Sequence, residues 1–259
     1  MMAAVRVTYP TFSPSGEVRP LPAEAIHVIA RDVRRQVCGG LWAKPLPAES
    51  LIRRVAVLVV NGVKLTTIWD TQHEVHDDEG RPAMGVCEYD PESPGCVMMS
   101  LNAAVVGERP DLAISTTAHE LGHAIFDIPA AEIASQREDA AAPRRVFRYV
   151  TTDEQHFRTA GAKDASFWAE YRANEFMGGL LVPPDLLHRT LVNCAGQLGV
   201  PLTGGSDQGS KFGYPLVDGQ RWDPTQQDAL LDELAGIFGV SPAFIWVRLR
   251  KCRLIAGQQ

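Results

Sequence analysis

The chain has 259 residues, a formal net charge of −6 and an isoelectric point near 5.7. This acidic balance argues against nucleic acid as the main partner, because surfaces that bind phosphates carry an excess of basic residues. A hydrophobic content of 45% and a charged content of 22% are typical of a globular protein with one large core, or a core and a small appendage. Because no apolar run is long enough for a signal peptide or a membrane span, we expect a cytoplasmic protein without membrane contact.

The cysteines are odd in number and contain no Cys-x-x-Cys pair; they are Cys38, Cys87, Cys96, Cys194 and Cys252. Reduced thiols are therefore expected, as is usual in the cytoplasm. A bridge between Cys87 and Cys96, or a second metal site there, is the alternative that spacing leaves open.

The first part of the chain is predicted to form an arm and a helix. Residues 1–22 are rich in Pro and Ser and favour an extended arm. A helix follows from Leu21-Pro22 to Gly39-Gly40, because its apolar residues fall on one side. That side consists of Ile26, Ile29, Val33 and Val37, and the other of Arg31, Arg34 and Arg35. The arginine side is expected to face solvent.

A β-hairpin is predicted next. Val55–Val60 is typical of a buried strand, Asn61-Gly62 is a strong turn signal, and Val63–Trp69 can return as the second strand. Cys96–Leu101 predicts a further strand that leads through Asn102 toward a helix.

The sequence between these strands, from Asp70 to Pro94, is polar. It contains His73, Glu74, His76, Asp77, Asp78 and Glu79. Because these residues have no helical periodicity and no fixed ligand spacing, an acidic loop beside the cleft is favoured over a second metal site.

The segment Thr117–Ile125 contains His119-Glu120-Leu121-Gly122-His123, the zinc signature His-Glu-x-x-His. Two histidines four residues apart on one helix face can reach a single ion, and Glu120 beside them can act on a bound water. An apolar stripe lies roughly opposite, formed by Ile114, Ala118, Leu121, Ile125 and Ile128. The helix is therefore predicted to bury one side and turn the histidines toward a cleft, beginning near Asp111 and ending at Pro129.

A third ligand is expected, because a catalytic zinc has three protein ligands and one open position. The predicted helix Ser166–Val182, ended by Pro183-Pro184, carries Glu170 and Asn174 on one face. Glu170 is the predicted ligand, and Asn174 is predicted to fix the outer nitrogen of a histidine. The alternatives for the ligand are Glu175, Glu154 and His156.

The predicted mechanism uses Glu120 as the base that takes a proton from the zinc-bound water. The candidate donors to the developing oxyanion are Tyr171, Arg172 and His156. Asp127 is expected to line the cleft or orient a neighbour. The longer signature His-Glu-x-x-His-x-x-Gly-x-x-His is excluded by Phe126 and Pro129. The charged stretch 130–165, in which only Arg144–Val150 looks ordered, is interpreted as an insertion or lid.

With these residues in view, the chain resembles the ImmA/IrrE family of metallopeptidases. Two segments are similar to the family's active-site helices in order and content: His119–His123, and Glu170–Phe176 continued to Pro183. A third segment is similar to its helical tail: Leu234–Ser241, then Val247–Leu249 and Leu254-Ile255. The resemblance spans roughly residues 20–255 and is strong in these three blocks.

The resemblance implies an α+β fold with a gluzincin-like metallopeptidase core, made of a small mixed sheet and the active-site helices, and a C-terminal helical subdomain. The corresponding domains are residues 1–50, an arm and helix that pack on the core; 51–190, the zincin-like core; and 191–259, the helical subdomain. The departures are the stretch 130–165, the Gly-rich Gly199–Gln220, and Asn174 where many gluzincins carry Asp.

The resemblance also implies one Zn²⁺ per chain and an endopeptidase that cleaves an intracellular regulatory protein, usually a transcriptional repressor. A non-proteolytic zinc-containing regulator that binds and displaces a repressor is the alternative. A DNA-binding protein that uses the C-terminal helices is a third class, which the acidic balance disfavours.

Overall fold

A computed structural model describes residues 4–10, 20–39, 44–77, 79–136, 145–149, 165–203 and 215–257. The described residues fall into two compact units, one within Met1–Trp42 and Pro47–Leu180, the other within Ala43–Leu46 and Leu181–Gln259. The fold is of the mixed α+β class, as expected from the sequence.

The first unit combines a mixed sheet with helices. Its strands are β1 (Val5–Val7), β2 (Val57–Val60), β3 (Val63–Asp70), β4 (Gly85–Tyr89), β5 (Cys96–Leu101) and β6 (Arg145–Tyr149). Its helices are α1 (Ala23–Cys38), α2 (Ala48–Arg54), α3 (Ala103–Val106), α4 (Pro110–Phe126), α5 (Ile128–Ser135) and nearly all of α6 (Ala165–Leu181). The strand order is β1-β2-β3-β5-β4-β6, in which β1 with β2 and β3 with β5 are parallel pairs and the other pairs are antiparallel.

The predicted hairpin is confirmed as β2 and β3. Asn61 and Gly62 form its turn with φ angles of 49° and 88°. Both residues lie in the left-handed region, which a two-residue hairpin turn requires and which Asn and Gly adopt most readily.

The extended arm predicted for residues 1–22 contains a strand near its beginning, which the prediction did not specify. Val5–Val7 is a strand that pairs in parallel with β2, and its two valines are buried. Just beyond it, the Tyr9 hydroxyl donates a hydrogen bond of 2.8 Å to the carbonyl of Ile125, near the end of α4. Residues 11–19 lie outside the described part of the chain.

Helix α1 confirms the predicted apolar side, since Ile26, Ile29, Val33 and Val37 are all buried. The prediction that its arginines face solvent is wrong for Arg34, which is 1% exposed. The Arg34 guanidinium donates a hydrogen bond of 2.7 Å to the carbonyl of Leu180 in the last turn of α6. A carbonyl at a helix end lacks an intrahelical donor, so a distant cation can satisfy it.

The polar loop predicted between Asp70 and Pro94 contains strand β4, which sequence patterning missed. Four of its five residues are buried: Gly85, Val86, Cys87 and Tyr89. The strand is five residues long, begins with Gly and lies between Pro-containing polar segments, so that its own sequence gives little strand signal. Its pairing with β5 and β6 supplies the stability instead.

The stretch 130–165, predicted to be an insertion or lid, contains strand β6. It pairs antiparallel with β4, with Cys87 opposite Phe147 and Glu88 opposite Val146. Residues 137–144 and 150–164, on either side of β6, lie outside the described residues.

Helix α4 is more fully buried than predicted and ends earlier. Every residue from Ile114 to Phe126 is buried, including the histidine side that was predicted to turn toward a cleft. The helix also ends at Phe126 instead of Pro129, and Pro129 lies in the first turn of α5. Proline is well accommodated there, because the first turn of a helix needs no amide donor at that position.

The second unit contains α7 (Pro184–Leu198), α8 (Pro224–Phe238) and α9 (Pro242–Lys251), with a small sheet of β7 (Leu202–Thr203), β8 (Leu216–Asp218) and β9 (Ile255–Ala256). Helices α7 and α8 end at Gly199 and Gly239, which have left-handed φ angles. The side chains of Asp223 and Ser241 cap α8 and α9.

Within the described ranges, no single helix is both long enough and apolar enough to cross a membrane. Helices α8 and α9 reach that length and hydropathy only when taken together, with a bend of 98° between them. All five cysteines carry free thiols.

Candidate metal centre

Two imidazoles and a carboxylate converge between α4 and α6. The Nε2 atoms of His119 and His123 lie 3.1 Å apart. The two carboxylate oxygens of Glu170 lie 3.4 Å from these nitrogens, one opposite each histidine. With metal–ligand distances of roughly 2.0–2.2 Å, ligands at the corners of a tetrahedron lie about 3.3–3.5 Å apart. The three side chains therefore fit a single metal ion.

A glycine allows the two helices to approach closely enough for this convergence. A Cβ atom on Gly122 would lie only 2.8 Å from the Cα of Ala173 on α6. No real side chain tolerates that distance to backbone, so the helices can meet here only if residue 122 is Gly. The contact lies one residue from His123 and three residues from Glu170, so it sets the distance between ligands of different helices.

The outer nitrogen of His123 faces a polar partner. His123 Nδ1 lies 2.9 Å from a carboxylate oxygen of Asp127, and Arg172 donates to the other oxygen of Asp127. Asn174 interacts with the side chain of His119 and opposes the lowering of its pKa. A partner such as Asp127 fixes the orientation of a ring and raises its basicity toward a metal.

Burial and neighbouring charges shift the pKa values of the three candidate ligands in different directions. Burial is the main cause of the lowered pKa of His119. Burial acts the same way on His123, but hydrogen bonds and charges from Asp127 and Glu170 outweigh it and raise its pKa to about 10. Despite burial, both histidines hold the pKa of Glu170 well below its usual range. The metal-free cluster thus holds an ionised Glu170 against a protonated His123.

Glu120 lies beside the ligands and is fully buried. Neither of its carboxylate oxygens has a hydrogen-bond partner among the described residues. Burial raises its pKa to about 8, an effect that the charge of Glu170 reinforces and that of His123 opposes. A buried carboxyl without a partner is costly to the fold, and such groups are concentrated at functional sites.

Strand β4 covers Glu120. A Cβ atom on Gly85 would lie 2.7 Å from Oε1 of Glu120 and 2.5 Å from Cγ2 of Thr116. Gly85 therefore leaves the space that the Glu120 carboxylate occupies. Sequence reasoning missed this residue, since a lone Gly before Val-Cys carries no recognisable motif.

Strand β6 covers His123. The ring of Phe147 is stacked on the imidazole, with a centroid separation of 4.6 Å and an angle of 13° between the planes. This residue was also missed as part of the site, because only the pairing of β6 with β4 brings it there.

Other predicted site residues lie elsewhere. Glu175, an alternative third ligand, lies 2.9 Å from Nε2 of His27 on α1. Arg172, a candidate oxyanion donor, binds Asp127 instead. Tyr171 interacts with the charge of Glu175 and the backbone of Ala23, on the side of α6 that carries Glu175. His156 and Glu154 lie outside the described residues.

The polar loop after Asp70 forms local pairs. His73 Nδ1 lies 2.7 Å from Asp70, and His76 lies 3.8 Å from Glu74. Over the described ranges, no group of three potential ligands converges other than His119, His123 and Glu170. These pairs agree with the interpretation of this segment as an acidic loop.

No family model, curated protein or solved structure matches this chain. Its function is therefore inferred from the geometry and chemistry of the site.

Proposed function

We propose that the protein is a zinc-dependent endopeptidase of the ImmA/IrrE type, which hydrolyses a peptide bond in an intracellular regulatory protein, a transcriptional repressor. The observation that carries this proposal is the convergence of His119, His123 and Glu170 beside the unpartnered carboxyl of Glu120. Three ligands of these types with an adjacent acid are the arrangement of catalytic zinc sites, which keep a fourth position open. A purely structural zinc would normally have four protein ligands.

Each polar residue of the centre has a role in this proposal. His119, His123 and Glu170 hold the ion; Asp127 and Asn174 orient the two imidazoles, and Arg172 holds Asp127 in place. When bound, zinc supplies positive charge that polarises the scissile carbonyl and lowers the pKa of the attacking water toward about 7.

Glu120 moves the proton. It accepts a proton from the attacking water and later delivers it to the leaving amine. No competing hydrogen bond within the described residues occupies its oxygens, so both are available for the water and the amine. A pKa of about 8 in the metal-free site is near the operating pH, where a single group serves well as both base and acid.

One observation favours a second function, a non-proteolytic regulator that binds and displaces a repressor. His119, Glu120 and His123 are each 0% exposed, so a peptide has no direct path to them in this conformation. In this alternative the metal only stabilises the fold.

The substitution Glu120→Gln distinguishes the two functions. Because the amide keeps the size of the side chain but cannot accept the proton, we expect full zinc content and a loss of roughly 10²–10⁴-fold in cleavage rate. Zinc content is measured by elemental analysis, and cleavage by mass spectrometry of an unstructured peptide library incubated with zinc-loaded protein.

The matched control is Glu108→Gln, the same chemical change at an exposed residue just before α4. It should cleave like the parent. A Glu120→Gln protein that keeps its zinc and cleaves as fast as the parent would rule out Glu120 as the base. Zinc-loaded parent protein that cleaves no peptide would leave the regulator as the better function.

A further inference from the structure

The proposed active site is closed on the side of the sheet. His119, Glu120 and His123 have no exposed surface, and only the side chain of Glu170 is partly exposed, at 29%. An endopeptidase must bring the backbone of its substrate to the metal and to the base. These groups must therefore be uncovered before a peptide can bind.

Strand β6 is one described element that covers the site. It pairs with the edge of β4 that β5 leaves free, over the whole length from Gly85 to Tyr89. Strand β4 is the strand that contacts Glu120 through Gly85. Without β6, β4 would be the edge strand of the sheet, with unpaired amides and carbonyls directly beside the metal ligands.

Two neighbouring side chains hold β6 in place. They point to opposite faces of the sheet, as successive residues of a strand do. Phe147 stacks on the imidazole of His123. Val146 packs against a small buried cluster on the other face, made of Val75, Ala83 and Val86. One residue of β6 therefore covers a metal ligand, and the residue before it anchors the strand.

We propose that β6 occupies the substrate position on β4, and that an extended substrate segment binds by replacing it. This inference rests on the proposed peptidase function. A strand that adds to a sheet edge gains its affinity from backbone hydrogen bonds and its specificity from alternate side chains. The substrate is therefore an extended peptide, antiparallel to β4, in which an aliphatic residue for the Val75 cluster precedes an aromatic residue for the face of His123.

Replacement, and not addition outside β6, follows from the geometry. A strand that paired with the outer edge of β6 would lie about 4.8 Å further from β4, with β6 still between it and Glu120. Phe147 would also remain stacked on His123. Only the exchange of strands brings a substrate backbone to the ligands and uncovers His123.

A reversible disulfide tests the exchange. Glu88 and Val146 are opposite each other in the antiparallel pair, where Cα atoms lie about 4.5–5.5 Å apart, within the range of a disulfide. The double variant Glu88→Cys with Val146→Cys locks β6 to β4 when oxidised and releases it when reduced. Both residues lie away from the metal ligands, and the single variant Glu88→Cys controls for the added thiol.

The probe is a fluorescent peptide with the sequence of residues 143–151, added to zinc-loaded protein that also carries Glu120→Gln, so that the peptide is not cut. The control peptide carries Val146→Ala and Phe147→Ala and has the same charge. We expect the probe to bind the reduced protein at least roughly ten-fold more tightly than the oxidised protein, and the control peptide to bind neither well.

A second readout needs no peptide. Phe147→Ala removes the ring that covers His123, and should accelerate the transfer of zinc to a chelator by roughly ten-fold. The oxidised disulfide should slow the transfer relative to the reduced protein. Equal binding of the probe to oxidised and reduced protein would overturn the exchange.

The outcomes separate this inference from the peptidase function. If the probe binds as expected but protein with Glu120 intact cuts no peptide of the library, the exchange stands and the peptidase function fails. If protein with Glu120 intact cuts peptides equally fast with β6 locked or released, the peptidase function stands and the exchange fails.

Discussion

At the scale of single residues, the candidate metal centre depends on side chains that are not among its three possible ligands. One carboxylate oxygen of Asp127 lies within hydrogen-bond distance of His123, and Arg172 donates a hydrogen bond to the other oxygen. One buried carboxylate thus holds a histidine of α4 and an arginine of α6 in place. The ligand motif itself gives no hint of this arrangement, because Arg172 is 45 residues away from Asp127 in sequence.

We expect Asp127→Asn to weaken zinc binding by roughly 10–100-fold, because the amide orients His123 less firmly and lowers its basicity. The affinity is measured by competition with a chelating dye on protein that is folded by circular dichroism. Asp111→Asn, the same change at the start of α4 and away from the ligands, should leave the affinity as it is. Unchanged affinity in Asp127→Asn would show that Asp127 does not position the histidine.

At the scale of helices and strands, the distance between α4 and α6 determines whether the ligands meet. Gly122→Ala would place a Cβ atom 2.8 Å from the backbone of Ala173. We expect a loss of about 1–3 kcal/mol in the free energy of unfolding and weaker zinc binding, because Glu170 moves away from the histidines. Urea unfolding and dye competition measure the two effects.

Gly236→Ala on α8 is the matched control. A Cβ atom there meets nothing within 4 Å, so Ala should stabilise the helix by about 0.5–1 kcal/mol. If Gly122→Ala were as stable as the parent, the close approach of the two helices would not limit the site.

The elements predicted from sequence are those whose signals are local. The hairpin follows from Asn61-Gly62, α1 from its apolar spacing, and α6 from its apolar stripe and the prolines after it. The histidines and Glu120 follow from one motif, and Glu170 from a helix that could present it.

Two strands depend on distant partners: β4, which was missed, and β6, for which the sequence indicated only an ordered stretch at Arg144–Val150. Strand β4 has a weak strand signal of its own, and β6 pairs with it across a separation of some sixty residues, as Cys87 with Phe147. The burial of the histidine side of α4 was not predicted for the same reason: β4 and β6 cover the helix, and the sequence of α4 does not contain that information. Arg34 was predicted to be exposed because its acceptor, the carbonyl of Leu180, is 146 residues away.

At the scale of the whole molecule, we expect metal binding by the proposed centre and the stability of the metal-free protein to depend on the same protons. Folding of the metal-free protein raises the pKa of Glu120 from 4.5 to about 8 and that of His123 from 6.5 to about 10. A raised pKa contributes stability below the unfolded value, and this contribution is lost as the pH rises through the folded value. The contributions of Glu120 and His123 to the free energy of unfolding therefore both decrease as the pH rises from 6.5 to 8.

We expect the free energy of unfolding of the metal-free protein to fall over this interval by about 1.4 kcal/mol per pH unit for each proton involved. Over the same interval zinc affinity should rise, because zinc must displace the proton of His123. Urea unfolding in a chelating buffer measures the first effect. Calorimetry in buffers of different ionisation enthalpy measures the protons released.

His123→Gln provides the control, since it cannot hold this proton and should leave only the contribution of Glu120, about half of the pH dependence of the free energy of unfolding. Zinc affinity that does not change between pH 6.5 and 8, with no proton release, would contradict the protonation of His123 in the metal-free site.

In the first unit, residues near the beginning of the chain form hydrogen bonds with residues more than a hundred positions later. Tyr9 reaches the carbonyl of Ile125 across 116 residues, and His27 reaches Glu175 across 148. During synthesis on the ribosome, β1 and α1 thus emerge long before the segments that complete them. Their apolar sides therefore stay exposed in the nascent polypeptide until α6 has been translated. Exposed apolar surface of this kind is what holding chaperones bind.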